Sequence, residues 1–451
     1  MQPELSTPGS EANFSFSSLI IGFQKHEATH VTAFQHAIAW EPGQEIDARE
    51  ADYRALLKHE VTHFLDMTTT RWGWQYTIRK LQLLRNLIDE GPELGEARSV
   101  FALETGELAV HTSLVVAGKE PPAACDRIQH HLRYTRKFGV CIMVEYLKGA
   151  QVCHQVPVSM LSLLEANATA SEFLSLIQCA DSHGEYVARL LSMRDVKDRF
   201  ESVLNDPNRF EYSCLLHLTR IHFSHLSLEA QMKLVAAVAR FSLDAESLQL
   251  AIVANIIQRT FRNDHLGASI CMELRRDHCR QLVFFKTILL MYQWRNEWAA
   301  EGPGEIDNLI VQNPTEAVHR LWSFLHGEPI PRIEDDEDWV VNMRIDWLRE
   351  FGTELSDSEI IHESCNVNRR ALATTSAGVL SFRSMKLLNP VLADGTELLL
   401  PNSFDIRTYD YFDKRSDLFS RLDVEHKTMR HVRFHLSPND PMVVQLRNFS
   451  N

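Results

Sequence analysis

No two cysteines in this chain stand at C-x-x-C spacing. The eight fall at 125, 141, 153, 179, 214, 271, 279 and 365, which excludes a zinc ribbon or a dithiol redox motif. Thiols this sparse in a long chain read as free side chains in a reducing compartment. There is no basic excess either. The net charge is -14, which argues against a nucleic-acid binder, whose phosphate-reading surface is usually basic, and against attraction to anionic membranes. The start, Met1-Gln2-Pro3-Glu4-Leu5-Ser6, lacks the basic and apolar regions of a signal peptide. No apolar run approaches the ~20 residues that a membrane helix needs. These absences lead to the expectation of a cytoplasmic protein acting without nucleic acid or membrane. At 45% hydrophobic and 24% charged over 451 residues, the composition is that of globular material with room for two or three domains.

What is present begins with Leu56-Leu57-Lys58-His59-Glu60-Val61-Thr62-His63-Phe64-Leu65-Asp66, which contains H-E-x-x-H. Residues 49–67 hold no Gly or Pro, and Tyr53, Leu57, Val61 and Phe64 form an apolar stripe at helical spacing. Asp47, Glu50 and Asp52 suit the positive end of such a helix. The run Thr68-Thr69-Thr70 weakens it, and Gly73 can stop it. On a helix, His59 and His63 project from one face one turn apart and can reach one ion, with Glu60 beside them. Zinc in such a place lowers the pKa of a water, whose proton a carboxylate can accept. The bland alternative is a helix whose His and Glu are solvated or hydrogen-bonded.

The string occurs a second time, as His26-Glu27-Ala28-Thr29-His30. Leu19–Phe23 before it and Val31–Phe34 after it read as strands. Two His four apart in a strand lie about 13 Å apart, too far to share an ion. This copy is expected to be coincidence or lining near the site.

The chain divides by composition into a loose tail (1–16), a catalytic unit (17–186), a helical unit (187–327) and an acidic linker with a mixed α and β end (328–451). Strands are expected within 17–42, where a sheet edge can wall a cleft for an extended peptide. Helices are expected over 74–89, 94–108, 134–146, 158–180, 230–241, 245–261, 280–298 and 315–325. Asp394-Gly395 signals a turn, and Leu398–Pro401 and Val432–Leu436 read as short strands. The acidic run at 334–338 reads as a solvated loop. The fold class is mainly α: a zincin-like α+β N-terminal domain, then a helical domain, then a small mixed α/β region.

A catalytic zinc needs a third protein ligand and one open position. A metzincin would place a His six residues after His63, where Thr69 stands, and a Gly at Asp66, so that class is excluded. The better match is Ser162-Leu163-Leu164-Glu165-Ala166-Asn167-Ala168-Thr169-Ala170-Ser171-Glu172, a lone Glu among small residues that permit close helix packing. Together the two segments resemble the gluzincins, the thermolysin-like clan with H-E-x-x-H and a Glu on a later helix. They are most similar to bacterial members whose first helix runs into a Thr-rich segment and a Gly, as 68–73 does here. The resemblance spans about residues 45–180. It implies zinc held by His59, His63 and Glu165, with Glu60 as general base. Ala166 stands where a Gly often follows the ligand Glu, and the gap from His63 is long. Glu104 and Glu107 therefore remain rival ligands.

Such a hydrolase also needs an oxyanion donor, for which Tyr186, His183 and His154 are candidates. Asp66 and Glu172 are candidates to orient the ligating imidazoles, although Asp66 reads more readily as solvated or capping. The leading expectation is a zinc peptidase acting on a protein or peptide, with the segment after 187 choosing the target. The alternatives are a non-catalytic helical interaction protein with a relic metal site, or a di-iron carboxylate oxidase using both E-x-x-H pairs.

Overall fold

The structure, a computed structural model, describes residues 11–16, 19–78, 107–261, 264–299, 302–331, 357–372 and 375–408. Most of the expected helices over 74–89 and 94–108, the acidic run at 334–338 and the strand at 432–436 lie outside these residues, as does Glu104.

The described chain is mainly helical, with two small sheets. The first sheet runs in the order β1 (Ala12–Ser15), β2 (Ile20–Phe23) and β6 (Val391–Leu392), with β1–β2 antiparallel and β2–β6 parallel. The second is an antiparallel meander of β3 (Arg127–Thr135), β4 (Gly139–Lys148) and β5 (Gln151–Val158). Around them stand α1 (Val31–Ala39), α2 (Ala48–Thr69), α3 (71–78), α4 (Glu107–Leu114), α5 (Met160–Asp181) and α6 (Tyr186–Asn205). They are followed by α7 (Phe210–His222), α8 (Leu228–Asp244), α9 (Ser247–Thr260), α10 (His265–Arg275) and α11 (Gln281–Gln293). The last are α12 (Pro303–Gln312), α13 (Pro314–His326) and α14 (Asp357–Leu372). No helix among the described residues is long and apolar enough to cross a membrane.

Two of these helices organise the rest. In α2, Asp47 accepts a hydrogen bond from the Glu50 backbone N–H at 2.8 Å, an N-cap that meets one of the unpaired donors of the first turn. The helix is buried on nearly all sides from Tyr53 onward, beyond the stripe its sequence suggests. Its long cations therefore need internal partners. Arg54 donates to the Ala37 carbonyl at 2.8 Å, and the wholly buried Lys58 donates to the carbonyls of Ala377 (3.0 Å) and Leu380. In α5 a reciprocal Ser159–Ser162 capping box starts the helix. Ala166, Ala168, Ala170 and Ser171 are all buried in it, and α2 lies against this helix as one of its most extensive neighbours.

Three local expectations are corrected. Val31–Ala39 is a helix, because Phe34, Ala37 and Ile38 are buried at helical spacing and Glu27 caps the short turn leading into it. Tyr134–Tyr146 belongs to the β3–β4 hairpin. Its turn is closed by Gly139 at φ +71, a left-handed position that favours Gly. Leu398–Pro401 forms no strand. The Asp394-Gly395 turn is present, with Gly395 at φ +85. Most buried apolar side chains from Ala12 to Phe404 form one contiguous cluster that includes members of α2, α5, α8, α11 and α14, with Trp40, Ile46 and Cys179 in a small separate one.

Candidate metal centre

His59, Glu60 and His63 enter on α2, and Glu165 on α5. The His59 Nε2 lies 3.2 Å and the His63 Nε2 3.6 Å from Glu165 Oε2. All three ligand atoms lie within 4.8 Å of one another, and all three residues are buried. Ligand atoms 2.0–2.1 Å from a tetrahedral ion stand roughly 3.4 Å apart, so the observed separations suit a small dication. These three are the one such group among the described residues. The Glu107 side chain and Glu104 lie outside them.

The surroundings favour positive charge at the centre. Burial works to lower the His59 pKa, but hydrogen bonds to Glu165 and Glu172 raise it well above its ordinary value. Burial works to raise the Glu165 pKa, but the His63 and His59 imidazoles hold it down to about 2. Glu60 is buried, and its desolvation lifts its pKa against the opposing pull of both imidazoles. Carboxylates gathered beside two imidazoles in low dielectric supply what a bound cation needs.

Neighbouring side chains fix the ligand rings. Glu172 Oε2 lies 3.0 Å from His59 Nδ1, which orients Nε2 toward Glu165. Phe14 and Phe16, on and just after β1, pack on the His63 ring with centroids 6.2 and 5.6 Å away. Asp66 is buried and accepts from Asn167 Nδ2 at 2.9 and 3.1 Å, so it neither caps nor faces solvent. Burial pushes its pKa up to about 6 against the Asn167 hydrogen bonds.

Of the expected oxyanion donors, His183 and Tyr186 lie past the end of α5, ~24 Å along its axis from Glu165. His154 is buried beside Tyr146 and Phe210, with Nδ1 accepting from the Gly118 N–H at 3.0 Å. The phenol near the centre is instead Tyr212 on α7, its ring 6.2 Å from that of His59. Neither Tyr212 nor the Phe14–Phe16 clamp carries a sequence signal, because each reaches the site through tertiary packing. In the second H-E-x-x-H string the His26 and His30 rings are 5.2 Å apart, closer than a strand would hold them. However, Glu27 and His30 are engaged in capping their own 3₁₀ turn, and the string belongs to no three-ligand group among the described residues.

No protein-family model, curated protein or solved structure matches the chain.

Proposed function

We propose that the chain is a zinc-dependent peptidase that hydrolyses a peptide bond in a protein or peptide. In this reading His59, His63 and Glu165 hold the metal and Glu60 is the general base. The observation that carries it is the convergence of two imidazole Nε2 atoms and one carboxylate oxygen at metal-ligand separations, with a buried Glu60 on the same helical turn. Zinc at such a site supplies a water acidic enough to deprotonate near neutrality and polarises the scissile carbonyl.

The chain's own residues do the rest. The Glu60 carboxylate, its basicity raised by burial, takes a proton from the attacking water and returns it to the leaving amine. Glu172 takes the His59 Nδ1–H and so keeps Nε2 free to ligate. Tyr212 supplies an O–H donor toward the developing oxyanion. A peptide substrate is favoured by β1. Among the described residues this strand pairs with β2 alone, and Phe14 on it packs against His63. An extended peptide adding to that edge would run past the metal.

The test is metal content together with peptide cleavage. One tightly held zinc per chain and cleavage of a peptide library that stops on chelation are expected. A preparation with well under half a zinc per chain after added metal would remove the reading.

A further inference from the structure

We propose that the chain has a second small-molecule site, apart from the metal centre, that binds an apolar α-amino acid by its ammonium and carboxylate groups. A cavity of ≈ 200 Å³ opens between α2, α5, α8 and the stretch that follows α14. None of His59, Glu60, His63 or Glu165 lines it. A water fills about 30 Å³, so the cavity holds a molecule of roughly seven to ten non-hydrogen atoms.

Its polar groups are of both signs. Asp66 is buried in the wall, and a single amide, Asn167 Nδ2, serves both of its oxygens. A carboxylate has about four acceptor positions, and no other donor among the described residues reaches this one. It lacks the partners that a buried carboxylate requires. An ammonium group in the cavity would supply them. Arg240 also lines the cavity. It is held by the Thr69 hydroxyl and carbonyl, each at 2.7 Å, and by Asp244 at 3.4 Å. These bonds use only its terminal nitrogens, so among the described residues its Nε–H has no partner and is available for a carboxylate. Lys233 also lines the cavity, its charge matched by Glu229. Asp66 and Arg240 line the same cavity. That suits a small ligand carrying both an ammonium and a carboxylate. The remaining wall is apolar or small, with Leu65, Leu174, Ala237 and Val379, and accepts an aliphatic side chain rather than a third charge. Asp66 lies three residues beyond His63, and Asn167 two beyond Glu165. A ligand here would brace both helices of the metal centre without touching it.

The test is calorimetric titration of the full chain with L-leucine, beside 3-methylbutylamine, which lacks the carboxylate, and 4-methylpentanoate, which lacks the ammonium. Saturable one-to-one binding of leucine is expected, with each half-ligand weaker by at least about tenfold. Ala237→Phe fills the cavity and leaves its polar groups intact. Asp66→Asn removes the charge and keeps the shape. Each should weaken leucine binding by at least about tenfold. Absence of saturable binding by L-leucine, L-methionine and L-valine at millimolar concentration would overturn the proposal, as would unchanged binding in Ala237→Phe. Equal binding of the amine and leucine would overturn the carboxylate arm. The titration is repeated after chelation. Binding that persists there keeps this site independent of the peptidase reading.

Discussion

At the residue scale, Glu60 and Glu172 are both carboxylates near His59, but the proposed peptidase gives them different work, and removing the charge separates them. Glu60→Gln keeps the volume and the hydrogen-bonding reach and loses the ability to take a proton. Zinc content should stay at one per chain while turnover falls by about 10²–10⁴-fold. Unchanged turnover would remove Glu60 as the base, and loss of zinc would make it structural. Glu172 is 32% exposed and touches the far nitrogen of His59. Glu172→Gln should weaken zinc affinity by roughly 10–100-fold, read by competition with a chelator. An affinity equal to the parent's would show that Glu172 does not orient the ring. The His pair and Glu60 were legible in sequence because their relation is local, four residues on one helix. Glu165 was legible only as a lone acid among small residues. The aromatic clamp from β1 and the phenol of Tyr212 were not, since nothing local marks a contact between residues about 50 or 150 positions apart.

At the element scale, the end of α2 shows how a correct local signal can act by another route. Thr68, Thr69 and Thr70 each donate a side-chain hydrogen bond to the carbonyl four residues back, at 2.9, 2.6 and 2.6 Å, which bends and loosens a helix. The break comes at Thr70, whose ψ is 156. Gly73 is not the stop. It sits in α3, where an added Cβ would stand 2.2 Å from the Met67 carbonyl oxygen. Gly73→Ala must therefore push α3 off α2, at a cost of about 2–3 kcal/mol, read from the denaturant midpoint. A change of a few tenths would show that the two helices can separate freely. Asp244, at the end of α8, ties the same corner. It accepts from the Arg71 backbone N–H at 3.2 Å, from Arg240 at 3.4 Å and from Arg369 at 3.2 and 3.3 Å. Its side chain is 21% exposed. Burial works against its charge, but Arg369, Arg240 and Arg71 hold the pKa down to about 2 from 3.8. A carboxyl depressed in the folded state stabilises it above the unfolded pKa, and that stabilisation is lost as pH falls through the folded value. It is worth on the order of 2 kcal/mol at neutral pH. Asp244→Asn should accordingly cost stability at pH 7, and the gap to the parent should close between about pH 4 and pH 2. A gap that stays constant across that window would show that the cost is not electrostatic.

At the scale of the whole molecule, periodicity marked the chain after Val187 as helical and placed four helices, at 160–181, 228–244, 247–260 and 314–326, to within a few residues, since each announces its own buried face. It misread the β3–β4 hairpin because the apolar run at 140–144 follows the turn with no Pro or Asn-Gly signal before it, and only the left-handed Gly139 marks the turn. What composition could not show is how the far end of the chain returns. Residues read as part of a C-terminal region pack on α2. Lys58 donates to the Ala377 and Leu380 carbonyls and lies over the Phe382 ring at 4.2 Å. Thr68 Oγ1 meets Ser364 Oγ at 2.7 Å, and β6 pairs with β2. Gly378 approaches α5 so closely that a Cβ would stand 2.3 Å from the Ser171 carbonyl. A chain ending at Gly327 would strip these partners from Lys58 and uncover the apolar faces of α2 and α5 that the returning segment buries, surface worth about 25 cal/mol per Å². Such a chain should lose its cooperative melt and its zinc together, although every proposed ligand is retained. Aggregation of the truncated chain would leave its metal content unread, so Lys58→Met in the full chain gives the second reading. Methionine keeps most of the volume and gives up the hydrogen bonds to residues 377 and 380, so the melt should stay cooperative at a lower midpoint. If the truncated chain instead melts at the parent's temperature and binds one zinc, the returning segment does not hold α2, and the metal centre is assembled by α2 and α5 alone.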